Sequence, residues 1–200
     1  MDHHNTNFVK SQIMPSGRTH DRITLWSLPV IVGLTTLSTR NATVTLLVAG
    51  GYLFSGLMFG PDLDIYSVQF KRWGWLRGLW IPYQRSMRHR SRFSHGFLLG
   101  TILRLCYLLG MIGLGICLLI LLGQAFFNLH WDWGERAIAL GSWLGNHRIG
   151  LIALFIGLEL GAMSHAIADW TGSRYKRWQR QQTPRPARKS QHESQRKVKR

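Results

Sequence analysis

Two hundred residues and 23.0 kDa are enough for one domain and short for two. Twenty-five lysines and arginines against nine acids give a formal charge of +16 and a pI near 11.2, a balance that suggests nucleic acid or an anionic membrane surface as partner. The mean hydropathy of −0.04 hides a sharp segregation of charged stretches from hydrocarbon, which excludes a disulfide scaffold, a collagen-like or disordered chain and an ordinary soluble basic domain.

In chain order, residues 1–13 read as a flexible extension, and the first 22 residues are polar, without the apolar core of a cleavable signal. Thr24 to Ser38 and Ala42 to Gly60 are apolar runs separated by Thr39, Arg40 and Asn41, the pattern of a tight helical hairpin. The first run is short for a full span, and Pro29 lies near its start, where a helix tolerates proline best. Tyr66 to Arg92 mixes tryptophans and a tyrosine with lysine and arginine, which favours the headgroup layer. Cys106 to Phe127 contains no charged side chain over 22 residues, long enough to cross a hydrocarbon core of roughly 30 Å. Arg104, just before it, is expected to extend its head group toward the interface. Cys106 and Cys117 are about 16 Å apart along such a helix, too far to bridge. Ile149 to Ala168 is a fourth run with Glu159 and His165 embedded in it, and the Gln-, Arg- and Lys-rich segment 174–200 reads as a disordered polybasic tail.

Basic residues set the expected orientation. Three lie in the arm before Thr24, seven in the loop 61–96 and eleven from Arg174 onward, so 21 of the 25 share one side. The positive-inside rule makes both termini and that loop cytoplasmic. The expected fold is an all-α integral membrane protein of about four transmembrane helices, its membrane-embedded part covering 14–173, in an inner (plasma or thylakoid) membrane.

A short set of polar residues is left over: His20 and Asp21, Asp62 and Asp64, His89 and His95, Glu159, His165 and Asp169. All but Glu159 fall at the cytoplasmic mouth of a span, so four separate segments bring His and Asp to one layer. His165 and Asp169 share a helix face, and Gly161 and Ala162 one turn earlier leave room there for an ion. A simple His–Asp hydrogen bond explains that pair equally well. Asp62 and Asp64 follow a helix C-terminus, where the macrodipole disfavours anions and calls for a cation, although Asp after Pro61 is also common turn chemistry. His20-Asp21 has the form of the doublet in HD phosphohydrolases, but no matching histidine segment precedes it. Glu159 reads as an intramembrane partner for Arg104.

The runs Met-Pro-Ser-Gly-Arg-Thr-His-Asp and Phe-Gly-Pro-Asp-Leu-Asp, with the later His-Arg-Ser-x-x-Ser-His-Gly and Ser-His-x-x-x-Asp-Trp, resemble a mainly cyanobacterial family of uncharacterised metal-binding membrane proteins. The resemblance covers about residues 14 to 175. More distantly the chain is similar to predicted metal-dependent hydrolases of the bacterial inner membrane, and the zinc-dependent phospholipase C group has a comparable all-helical set of His and Asp. The resemblance implies His20, Asp62, Asp64, His89, His95, His165 and Asp169 as ligands. Five residues separate His89 from His95, against four in the hydrolase pattern.

Imidazole and carboxylate ligands without sulfur suit Zn²⁺, Mn²⁺ or Fe²⁺, and seven candidates imply one or two ions with outer residues orienting the ligands. Arg88, Arg90 and Arg92 flank the two histidines and are placed to hold a substrate phosphate. The expected function is therefore a metal-dependent hydrolase of a phosphoester at the cytoplasmic interface. The alternative is a non-catalytic metal protein with a structural or sensory site. Partners are the bilayer and, through the tail, anionic headgroups, with nucleic acid not expected; oligomeric state is open. A transporter would need mid-membrane polar groups and repeated halves.

Overall fold

The structure, a computed structural model, describes residues 17–87, 96–127 and 130–182. Among these every regular element is helical: α1 (Gly17–Thr39), α2 (Ala42–Leu57), α3 (Val68–Arg72), α4 (Ile81–Ser86), α5 (Leu99–Phe127), α6 (Trp133–Asn146) and α7 (Arg148–Gln182). Two 3-10 segments, Pro61–Asp64 and Gly74–Trp80, lie between α2 and α4. Three stretches among the described residues are long and apolar enough to cross a membrane: Ala42–Asp64, Leu99–Phe127 and Arg148–Gln179.

α1 and α2 form the hairpin. Arg40 reverses the chain in the left-handed region (φ 47), with its amide bonded to Thr36 O at 2.9 Å. Asn41 then caps α2, its side chain accepting from the Val44 amide at 3.2 Å. α1 starts well before the apolar run, at Gly17, so Pro29 stands in the helix interior and not near its start. The early start matters, because it places His20 and Asp21 on a helix.

Glycines set how closely the helices approach. A Cβ on Gly157 would lie 2.2 Å from Val48 O, and one on Gly161 would lie 2.5 Å from Tyr52 O. A Cβ on Gly51 would meet Leu154 O at 2.6 Å, so α2 and α7 cross backbone to backbone. Gly56 admits Thr24 of α1 in the same way.

The aromatic loop does not simply lie among headgroups. Trp80 and Tyr83 are core residues, clustered with Phe59, Leu63, Phe70 and Leu158 and flanked by Trp73 and Tyr107. Their rings meet edge-on, Trp80 standing 5.1 Å from Trp73 and 5.6 Å from Tyr83, the arrangement aromatic quadrupoles favour. Trp75 remains exposed, as an interfacial residue would be.

Two further departures concern charge. Arg104 does not reach toward an interface: it is 1% exposed, donates to Thr101 Oγ1 at 3.0 Å and stacks over the Phe59 ring at 5.9 Å. α7 continues to Gln182, so 174–182 is helical where disorder was expected, because Arg, Lys and Gln are good helix formers. The chain divides into a unit ending at Ala168 and a second beginning at Asp169, of which the described part is the last turns of α7.

Candidate metal centre

His20 enters from the first turns of α1 and His165 from α7, and their rings stack at 3.9 Å between centroids with 24° between planes. Both are buried. His165 Nε2 stands 3.1 Å from Asp62 Oδ2. Its other nitrogen, Nδ1, is 3.5 Å from Gln69 Nε2. That amide also donates to Gly56 O at 3.0 Å, which determines which end of the Gln69 side chain faces the ring. With the Gln69 amide on Nδ1, Nε2 is the nitrogen that faces Asp62. Asp169 follows His165 by one turn of α7, and His20, His165 and Asp169 each offer a ligand atom within 4.8 Å of the others.

Local sequence explains these placements. Pro61 starts the 3-10 turn that carries Asp62, and Gln84 Nε2 pins that turn by donating to Leu63 O and Ile65 O, each at 3.0 Å. Gly60 leaves the space Gln69 uses, since a Cβ there would lie 2.5 Å from its Nε2. Arg72 ties α1 to the end of α2, donating to Asp21 Oδ1 and to Leu57 O, both at 2.8 Å. The carboxylate in turn raises the Arg72 pKa above its ordinary value, chiefly through that hydrogen bond. Asp21 is thus committed to Arg72, and the His20-Asp21 doublet does not act as a unit.

Asp64 is buried and acts electrostatically on Arg104 and Tyr83. Glu159 also attracts Arg104, as a partner would, while its Oε1 accepts the Leu98 amide at 2.9 Å. The face at Gly161 expected to leave room for an ion is filled by the α2 backbone and Ser55. His89, His95, Arg88, Arg90 and Arg92 lie outside the described residues. Gln69 and Gln84 were not legible as site residues; the one clue is Gly60 before the Pro-Asp turn, a glycine that invites a close neighbour.

Two imidazoles and a carboxylate without thiolate form a donor set that fits a divalent ion such as Zn²⁺, Mn²⁺ or Fe²⁺, and a second carboxylate, Asp62, is already oriented on one of the rings. Fold and site together define an all-helical protein with membrane-length helices and a His/Asp group, its two histidines buried, apt for a metal. The chain belongs to the family described as uncharacterized metal-binding protein (DUF2227), which matches residues 15–179. It is also 41% identical over 59 residues to an uncharacterized protein of Aquifex aeolicus (strain VF5). That match spans 29% of this chain and 41% of the relative. No solved structure matches the chain.

Proposed function

We propose that this protein is a membrane-embedded, metal-dependent hydrolase acting on a phosphoester at the cytoplasmic interface. The carrying observation is the meeting of His20, His165 and Asp169, from two ends of the sequence, with Asp62 on the His165 ring. In this reading α1 is the fourth span, its 23 residues giving about 34 Å of helix. Both termini and the 61–96 loop are cytoplasmic, which puts the metal group at that face of the inner membrane. His89, His95 and Asp64 complete the ligand set or its outer shell, and Arg88, Arg90 and Arg92 bind the phosphate through charge-assisted hydrogen bonds. The polybasic tail holds anionic headgroups, about 1 kcal/mol per basic residue near the surface.

The chain's own residues prepare the site. Gln69 holds one nitrogen of His165 and Asp62 faces the other, so the ring is oriented without help from a ligand. A divalent ion bound there would supply a water activated near neutral pH and neutralise charge on phosphoryl oxygens.

Elemental analysis of detergent-purified protein offered Zn²⁺, Mn²⁺ or Fe²⁺ tests this. One or two ions per chain are expected, lost in His20→Ala with His165→Ala, together with phosphate release from phosphatidic acid vesicles that depends on the metal. Metal without any phosphate release would favour a structural or sensory centre. No metal in the wild type would overturn both readings.

A further inference from the structure

A cavity of about 130 Å³ lies between the start of α5 and the middle of α7, and its lining includes none of His20, Asp62, His165 and Asp169. Two charged side chains line it, Arg104 and Glu159, at 1% and 8% exposure. The Leu98 amide satisfies Glu159 Oε1, but Oε2 is buried and receives no hydrogen bond from a described residue. A buried carboxylate oxygen normally has a donor, so one is wanted here. The other walls are mainly apolar, among them Pro61, Phe97, Met163 and Ile167. Phe97 and Ile167 are 62% and 55% exposed, which places an apolar rim on the turn just before α5 and on the outside of α7, a helix long enough to cross a membrane.

We propose that this cavity binds an uncharged, hydroxyl-bearing long-chain amphiphile, its hydroxyl donating to Glu159 Oε2 and its chain leaving past Phe97 and Ile167. Charge selects the head group. A phosphate or carboxylate would be buried against Glu159, with Asp64 also acting on Arg104, and an ammonium would be buried against the Arg104 guanidinium. A hydroxyl satisfies the carboxylate without adding charge. The site goes beyond hydrolysis, since it stands whether or not the metal group turns over a phosphoester.

The test is photo-cross-linking of the full-length protein in nanodiscs with a twelve-carbon alcohol carrying a mid-chain diazirine, and adducts mapped by mass spectrometry. The matched amine, carboxylate, alkyl phosphate and plain hydrocarbon serve as competing probes. The alcohol should label Phe97, Met163 and Ile167. Labelling should fall at least about tenfold in Glu159→Gln, which keeps the shape of the side chain but weakens the charge-assisted bond. Met163→Trp, which fills the cavity, should lose it as well. Both variants should keep the metal content of wild type, so failure of this site and failure of the metal centre read differently. Equal labelling by alcohol and hydrocarbon, stronger labelling by a charged probe, or full labelling of Glu159→Gln would each overturn the proposal.

Discussion

Gly60 lacks one carbon, and that absence admits the Gln69 amide to the histidine it orients. Tyr83 shows the same dependence on surroundings. Burial pushes its phenol up from the ordinary 10.0, with Arg104 opposing and Asp64 reinforcing the shift. The unfolded chain loses this proton near its ordinary value while the folded chain holds it. The contribution to stability is therefore complete below about pH 10 and is lost as pH rises toward the folded value. Thermal unfolding followed from pH 8 upward should fall off less steeply for Tyr83→Phe than for wild type; identical slopes would show that the phenol is not the cause. Residue types that carry chemistry were legible in the sequence, since His and Asp near apolar runs are conspicuous. Gln69 was not, because glutamine is ordinary in a polar loop and becomes a site residue only through burial.

Helices α2 and α7 meet along Gly51, Gly157 and Gly161, where backbone approaches backbone. Gly157→Ala would set a methyl 2.2 Å from Val48 O, a contact with main chain that no side-chain rotation relieves. We expect it to destabilise the protein by about 2 kcal/mol or more, read as a lower unfolding temperature in detergent. Gly110 of α5 has nothing within 4 Å of its Cβ position, so Gly110→Ala should be neutral or stabilising by up to about 1 kcal/mol. A similar loss at both positions would deny that the crossing depends on glycine. Hydrophobic run lengths located all four long helices. The run boundaries missed the polar first turns of α1 and the extension of α7 to Gln182, because polar helix formers continue a helix without an apolar signature. α6, a short helix between α5 and α7 whose apolar residues are interspersed with polar ones, has no apolar run that would mark it in the sequence.

Across the whole chain, the distribution of basic residues carries the topology reading. A reporter fused after Arg200 or inserted in the 61–96 loop should be active on the cytoplasmic side, and one between α6 and α7 on the opposite side. A C-terminal reporter facing outward would reverse the assignment and move the metal group to the other face. Removing residues 183–200 should leave metal content at the wild-type level, because the metal-apt group lies before that point.

Composition and apolar run length were sufficient for the class: helical, membrane-length, strongly basic and rich in His and Asp near helix ends. Those features are local, and each can be read along a single segment. The pairing of His20 with His165, the assignment of Asp21 to Arg72 and the retention of Arg104 in the interior were not local. They depend on how closely three helices approach one another, which the glycines at their crossings permit and which only packing in three dimensions specifies.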